Sequence, residues 1–473
     1  MTNQDFFIPD ELYITGGKST MGEVETSGAK NAILGLMAAA LLTDEEIVLN
    51  NVPNITDVID MGHIMKDLGV NIRFNPEKKK LYLHAKKINK NTLSLTASKF
   101  RASYYLWGSL LARFRHTKEF DSLKVCLPGG CSFGGQRPTD FHEKLIKNVF
   151  NADIKEEKIK GEDYLVITLP KKEKEDENPI YSTLKVSHGA TFHWLLSVAG
   201  TKNLKVMYNT SLEPEVSNLV SMLQGMGLSL DGNERTGLIS HGNSGKLLKG
   251  GEFSVIPDRL EAATYALLAL GTRGAIRIKG ITYEHCTPWL SLLNKIDNSN
   301  IYYNEDKTEV VLDFHNVKGF DGLTMQMSPF PGMETDVQQI WAGVLGQAKT
   351  ESVIIDIIWP GRSISLKEMQ NFGLKSEFYQ TDVDIGQGIF FPALVAKIKP
   401  SELRSGKAEG MDLRGTAGLI VLASSVKGKS TILEPGYSLR GYPNLVENLK
   451  NLGLDISQSK QGKLVESLPN YKI

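Results

Sequence analysis

Ala32-Ile33-Leu34-Gly35-Leu36-Met37-Ala38-Ala39-Ala40-Leu41-Leu42 is an unbroken apolar run, followed by the β-branched Ile47-Val48-Leu49 and then by Pro53. The run suits a helix and is too short to span a bilayer. Residues 55–68 then place apolar side chains at helical spacing, Gly69 closes that helix, and Val70 and Ile72 alternate as in a short strand. Glycine fits the closing position because a left-handed backbone ends a helix there at little steric cost. The phrase as a whole predicts one α/β unit: apolar helix, strand, kink, amphipathic helix, short strand.

The phrase recurs. Residues 189–230 repeat it, with Val206-Met207-Tyr208 ahead of Pro214 and a close at Met226-Gly227. Further copies end at Phe372-Gly373 and Leu452-Gly453, and weaker ones occupy 101–154 and 259–296. Closing positions 69, 152, 227, 373 and 453 lie roughly 75–80 residues apart once a marker near 297 is allowed, which predicts six units. Six such units exceed one core in a chain of 473 residues, so two α/β domains of three repeated units each are expected. Residues 30–256 would form one domain, and 1–29 with 257–473 the other. The strand around Leu12-Tyr13-Ile14-Thr15 would complete the second. The chain would then cross between domains twice, as a two-strand hinge.

Five helix starts carry a charge in nearly the same place: Lys30, Arg101, Arg259, Asp336 and Arg414. A helix N-terminus already carries partial positive charge, so cations there imply an anion between them. Globally the chain is neutral, with Lys plus Arg and Asp plus Glu at 54 each, so no overall field draws it to nucleic acid or anionic membrane. Any anion site must be local. The start Met1-Thr2-Asn3-Gln4-Asp5 does not read as a signal peptide. Three cysteines, Cys126, Cys131 and Cys286, cannot build a disulfide framework and suit a reducing cytoplasm. No Cys/His spacing matches a zinc site, and no metal or other cofactor is expected. The charged stretches 116–121, 155–162 and 171–178 read as solvated loops.

Leu127-Pro128-Gly129-Gly130-Cys131-Ser132-Phe133-Gly134-Gly135-Gln136-Arg137-Pro138 stands apart. Four glycines around a cysteine predict a mobile loop presenting a thiol, with Arg137 close enough to favour the thiolate. A flexible surface loop with an incidental cysteine is the other reading. Asp336 after Thr335 reads locally as a helix N-cap, Asp140 equally so, and His142 as an ordinary histidine in a first helical turn.

These stretches taken together resemble the enolpyruvyl transferase family. The resemblance rests on Thr26-Ser27-Gly28-Ala29-Lys30-Asn31-Ala32, the Pro-Gly-Gly-Cys loop, Arg101-Ala102-Ser103 and Lys185-Val186-Ser187-His188-Gly189-Ala190-Thr191. It extends through Val255-Ile256-Pro257-Asp258-Arg259, Thr335-Asp336, Asp412-Leu413-Arg414 and Leu439-Arg440-Gly441-Tyr442, in order along essentially the whole chain. Within the family the match is to the branch acting on UDP-N-acetylglucosamine. It implies two inside-out α/β domains that close over phosphoenolpyruvate and a uridine nucleotide, in the first committed step of peptidoglycan precursor synthesis. The reaction adds a sugar hydroxyl to C2 of phosphoenolpyruvate and then expels phosphate. It requires a base for the hydroxyl, an acid for C3 and cations for phosphate and carboxylate.

The resemblance assigns the residues. Asp336 would be the base near the attacking hydroxyl, and Cys131 the acid or the site of a covalent adduct, the thiol that fosfomycin alkylates in this family. Lys30, Arg137 and Arg440 would hold the phosphate, with Arg362 and Arg414 on the carboxylate. Asn31 would contact the sugar. Arg101, Asp140, His142 and the backbone of Lys185, Val186, Ser187 and Gly189 would line the nucleotide side. Four positions depart from the family pattern: the Cys131–Arg137 gap is one residue longer, Leu212 replaces an arginine, Pro360-Gly361-Arg362 replaces Glu-Asn-Arg, and His188 replaces a small apolar residue. Such a mixture also suits a paralogue acting on another uridine nucleotide such as UMP. The sister family acting on shikimate 3-phosphate lacks this cysteine loop. A catalytically silent nucleotide-sugar-binding regulatory protein is the reading from another class, and it would not need Lys30, Cys131, Asp336, Arg414 and Arg440 together.

Overall fold

A computed structural model describes residues 6–94, 97, 101–126, 140–159, 161–171, 179–183, 185–233, 235–243, 245–384, 388 and 390–469, with the side chains of Arg101, Asp140, Pro360 and Ser363 excepted. The glycine-rich loop at 127–139, with Cys131 and Arg137, lies outside the described residues. So does most of the charged stretch 171–178.

The apolar runs form inner helices, one per unit: α1 (Lys30–Ala39), α2 (Tyr104–Thr117), α3 (His188–Val198), α4 (Arg259–Thr272), α5 (Gln338–Leu345) and α6 (Leu413–Ser425). Helices α1, α2 and α3 pack together, as do α4, α5 and α6. A helix apolar on every side has no face for water, so it goes to the centre. Every residue of α4 is buried. Small residues let the trio close up: a Cβ on Gly343 of α5 would sit 2.6 Å from the carbonyl oxygen of Gly418 on α6.

The sheets lie outside the helices, and the five four-stranded ones among the described residues share one plan, an edge strand parallel to its neighbour followed by two antiparallel strands. In the fifth unit the order is Thr324–Met327, Ser352–Asp356, Phe390–Lys399, Lys375–Asp384. Among the described residues the second unit has three strands, with a parallel bridge from Thr92 to Lys124 at its edge. There the charged stretch 155–162 is not a loop. It runs through the strand Asp153–Ile159, whose side chains alternate little and mostly face water, so the sequence shows no period of two.

Two edge strands are exchanged. Met21–Glu25 precedes α1 yet pairs with Ala275–Lys279 of the fourth unit, while Gly251–Ser254 precedes α4 yet pairs with Glu46–Asn50 of the first. Between each strand and its helix the chain crosses over, and the two crossings touch in an antiparallel bridge at Gly28 and Pro257. Asp258 N–H donates to the Ser27 carbonyl at 2.8 Å, and Ala29 N–H to that of Ile256 at 2.7 Å. A Cβ at Gly28 would collide with the Asn51 carbonyl, so only glycine admits this approach.

One apolar core gathers residues between Ala29 and Val255, and a second joins Leu12, Ile14 and Val24 to residues between Leu260 and Ile456. Glu11–Gly16 enters the sixth unit's sheet between Gly428–Leu433 and Asp455–Gln458. Leu468 returns to the first core, where it lies against Gly62, and Phe74 N–H donates to the Pro469 carbonyl at 2.8 Å. The C-terminal segment thus straps one half to the other. Among the described residues no helix is long and apolar enough to cross a membrane.

Candidate active site

The inner helices begin at charged or ionisable residues: Lys30 on α1, Arg101 in the turn Arg101–Ser103 before α2, His188 on α3, Arg259 on α4, Asp336 in the turn Thr335–Val337 before α5, and Arg414 on α6. Cations placed against helix N-termini need counter-charge, and here the chain supplies it. Three groups of carboxylates do so.

Asp57 is the first. Its side chain is 2% exposed and accepts from Arg440 Nε at 2.8 Å while Lys30 Nζ lies 2.9 Å away. Burial alone would raise its pKa, but Lys30 and Arg440 more than offset that and hold it below the ordinary carboxylate range. Lys30 and Arg440, belonging to opposite halves of the molecule, therefore meet over one buried carboxylate. The Lys30 backbone N–H adds a link to Asp258 at 3.3 Å, and Asp258 caps α4 through Leu260 and Glu261 N–H.

Asp336 is the second. It does not cap its helix; its carboxylate is taken by Arg362, and Arg414 Nε stands 3.8 Å from Oδ2. Burial would raise this pKa too, yet Arg362, Arg414 and, more remotely, Lys30 drive it far below the usual range. Arg362 is steadied by the Thr335 carbonyl at 3.1 Å. Arg414 donates from Nη1 to the Tyr442 hydroxyl at 2.8 Å, and that hydroxyl meets Thr264 Oγ1 at 2.8 Å. The other edge of its guanidinium, Nε and Nη2, is buried without a hydrogen-bond partner. That edge is the side-on pair of donors matched to two carboxylate oxygens.

The third group surrounds Arg259, which donates to Glu215 from Nε at 3.2 Å and Nη2 at 3.3 Å and contacts Glu334 through Nη1. All three side chains are nearly inaccessible, at 3%, 2% and 7%. Glu215 comes from the first core's segment and Arg259 from the second's, so this buried cluster joins the halves.

A different surface forms beside α2 and α3. Ser187 caps α3, its Oγ accepting from Ala190 N–H at 3.2 Å. The Tyr104 hydroxyl closes on Gly189, where a Cβ would collide with it. The Tyr104 ring stacks on His142 at 3.9 Å, and His142 Nδ1 meets His193 Nδ1 at 3.0 Å. Lys185 Nζ sits 4.0 Å from the centre of the Phe391 ring, a contact reaching into the fifth unit. Val186, beside Ser187, and Asn31, beside Lys30, are partly buried. Asp140 and Arg101 start helical segments, with their side chains outside the described residues.

The structure thus joins Lys30 to Arg440 and Asp336 to Arg362 and Arg414, and groups His142 with the start of α3. Sequence reasoning passed over Asp57, Tyr442, Glu215, Glu334, Tyr104 and His193. Asp57 had one available signal, a carboxylate in the first turn of the helix after the Pro53 kink. His193 had none, being one of the residues of an otherwise apolar helix.

The profile of the family described as EPSP synthase (3-phosphoshikimate 1-carboxyvinyltransferase) matches residues 14–449. UDP-N-acetylglucosamine 1-carboxyvinyltransferase 2 of Lactococcus lactis is 30% identical over 447 residues, covering 94% of this chain and 98% of that protein. The UDP-N-acetylglucosamine 1-carboxyvinyltransferase of Thermotoga maritima is 30% identical over 455 residues, with shares of 94% and 98%. Among solved structures, the enolpyruvyl transferase NikO from Streptomyces tendae matches with a TM-score of 0.79 at 20% identity, over 96% of this chain and 99% of that one. EPSP synthase from Acinetobacter baumannii matches at 0.63 and 15% identity, over 95% and 100%. Both likenesses concern the fold, two α/β domains with helices inside. On the profile match and the identity to full-length relatives, the chain belongs to the EPSP synthase family of enolpyruvyl transferases.

Proposed function

We propose that this transferase moves the enolpyruvyl group of phosphoenolpyruvate to the 3-hydroxyl of UDP-N-acetylglucosamine and releases phosphate, in peptidoglycan precursor synthesis. The observation that carries the reading is the unpartnered Nε/Nη2 edge of Arg414 beside Asp336 and Arg362. Buried donors without acceptors cost about 1–3 kcal/mol, so an edge left bare fits a site awaiting a carboxylate.

The steps follow from the groups present. Arg362 and Arg414 hold the carboxylate of phosphoenolpyruvate, and Lys30, Arg440 and Arg137 its phosphate. The acceptor hydroxyl loses its proton to Asp336 as its oxygen bonds to C2, and C3 gains a proton from Cys131. Loss of phosphate and of a C3 proton then restores the vinyl group. Asp336 is a weak base as it stands, because two guanidiniums hold it ionised. A substrate carboxylate that draws those cations to itself lets the pKa of Asp336 climb toward what proton abstraction needs. Asn31 would meet the sugar; Arg101, Asp140, His142, Lys185, Val186, Ser187 and Gly189 the nucleotide. The division at residues 30–256 against 1–29 with 257–473 would let closure assemble these groups.

One observation favours a second acceptor. His188 places an imidazole, stacked on Phe192 at 4.4 Å, at the start of α3, where the family commonly has a small apolar residue. With the nucleotide at the start of α3 as proposed, this ring would narrow the room beside it and suit UMP. Incubation with phosphoenolpyruvate and each nucleotide, read by product mass, separates the two. A nucleotide sugar heavier by one enolpyruvyl unit supports the first reading, the same gain on UMP alone supports the second, and unchanged nucleotides in both would refute enolpyruvyl transfer.

A further inference from the structure

Asp336 sits in a turn that its own side chain does not hold. The turn Thr335–Val337 begins without a side-chain cap, and the Asp336 carboxylate is taken by Arg362 and Arg414. Asp356 ties that turn to the sheet. It is fully buried at the end of the strand Ser352–Asp356, paired with Met327 on one side and Leu394 on the other. Thr335 Oγ1 donates to Asp356 Oδ2 at 2.5 Å, while the backbone N–H groups of Ile358 and Trp359 donate to Oδ1 at 2.8 and 3.0 Å. A hydroxyl bound to a carboxylate at such a distance makes a strong hydrogen bond. Ile358 and Trp359 lead directly into the turn Pro360–Ser363, which carries Arg362. Arg362 Nη1 then donates to the Thr335 carbonyl at 3.1 Å, which closes the circuit. One carboxylate thus grips the turn of Asp336 with one oxygen and the approach to Arg362 with the other. Burial would lower the pKa of Arg362, but Asp336, Asp412 and then Asp356 raise it.

This frame meets a difficulty in the reaction proposed above. A substrate carboxylate that draws Arg362 and Arg414 to itself removes the ion pair holding Asp336, at the moment when a base must stand in place. Bonds that do not use the Asp336 carboxylate survive that exchange. We propose that Asp356 is a positioning residue for proton transfer, which through Thr335 keeps Asp336 in register with Arg362 whether or not the two are paired. The inference rests on the functional reading above for the role of Asp336 as base, and on the fold alone for the frame. Asp356 acts through Thr335 and two backbone amides rather than on the reacting atoms. Its place on a strand flanked by two others suits that task, because elements of a sheet hold a group more exactly than loops do.

The test leaves Asp356 in place and removes its bond to the turn. Thr335→Val exchanges the hydroxyl for a methyl group of similar size, and Thr335→Ser keeps the hydroxyl. Crystal structures of the free variants read the turn, and phosphate release from phosphoenolpyruvate with the accepting nucleotide reads catalysis. In Thr335→Val the backbone at 335–337 should move away from Arg362 and kcat should fall roughly tenfold to a hundredfold, with nucleotide affinity by calorimetry within about twofold of wild type. Thr335→Ser should keep kcat within about threefold. Added to Asp336→Asn, Thr335→Val should lower the residual turnover by less than about twofold, because a residue acting through Asp336 has nothing left to position. An unchanged kcat in Thr335→Val, an unmoved turn in its crystal structure, or the full loss repeated on top of Asp336→Asn overturns the proposal. The last of these is what a merely structural residue would show. Should the wild-type protein release no phosphate with either nucleotide, the functional reading and the catalytic role fall together. A displaced turn in Thr335→Val would then still support the frame, and an unmoved one would strike that too. If Thr335→Val does not fold, Thr335→Ala removes the same bond without setting a methyl group against the carboxylate, and the same outcomes decide.

Discussion

The two regions of the candidate site are built by opposite means. Around Asp57 and Asp336, four cations, Lys30, Arg440, Arg362 and Arg414, are held by the protein's own acids. Around Tyr104, His142 and His193 the groups are aromatic and buried, one ring stacked on another and the two imidazoles joined by a hydrogen bond. On the proposed function, the charged side would trade one anion for another, a carboxylate of the chain keeping the cations in place until substrate takes them. On the same reading, the neutral side would select by donor and acceptor, where an error costs an unmade hydrogen bond rather than a Coulomb clash. Catalysis needs the first kind of surface and acceptor choice the second.

The largest effect should come from breaking the charged side at its base. Asp336→Asn keeps the shape and should lower turnover about a hundredfold to ten-thousandfold, while nucleotide affinity by calorimetry stays within about twofold. Near-normal phosphate release from that variant would strip Asp336 of its role. Next, Arg414→Lys preserves charge but removes the Nε/Nη2 edge. KM for phosphoenolpyruvate should rise roughly tenfold to a hundredfold with nucleotide affinity unchanged, and an equal loss of nucleotide binding would mean the two sides are not separate.

Asp57→Asn leaves Lys30 and Arg440 facing each other and should cost about 3 kcal/mol in thermal or denaturant unfolding. Inorganic phosphate should then raise Tm more in the variant than in wild type, because the ion replaces the missing charge. A Tm increment no larger than wild type's would show that these cations do not form a phosphate site. The smallest effect is a matter of pH at the hinge. Glu261 accepts from Ser27 N–H at 2.8 Å, Ser27 Oγ at 2.6 Å and the Tyr265 hydroxyl at 3.0 Å. Burial, and then the charge of Asp258, push its pKa from 4.5 to about 7. A group raised in the folded state adds stability that is complete below its unfolded pKa and is lost as pH rises through the folded one. Glu261 should therefore contribute up to about 3 kcal/mol that fades between pH 4.5 and about 7, and Glu261→Gln should flatten that slope. A slope unchanged by the substitution would place the titration elsewhere.

Much of the architecture was legible because packing forces it into the sequence. An inner helix must be apolar on every face, and a helix that turns sharply into a strand wants a left-handed residue, found at Gly69, Gly227, Gly373 and Gly453. The two weaker units use Asn151 and Asn298 there, both at positive φ, because asparagine also tolerates that conformation. The strand exchange at the hinge was not legible, since Met21–Glu25 and Gly251–Ser254 look alike whichever sheet they join. Asp57 stayed hidden for a related reason: its bond to Arg440 spans 383 residues, and no local pattern marks a carboxylate for a partner that distant. Resemblance supplied the cations and Asp336, and left out Asp57, Glu215 and Glu334.

The most direct measurement is phosphate release from phosphoenolpyruvate by the wild-type protein, with UDP-N-acetylglucosamine and UMP supplied separately. Phosphate released only when phosphoenolpyruvate and one of these nucleotides are both present is the predicted result, since the cations, Asp336 and the nucleotide side are arranged to act together. Tight nucleotide binding with no phosphate released from either mixture would contradict the account and leave a nucleotide-binding protein that has kept the fold without the reaction.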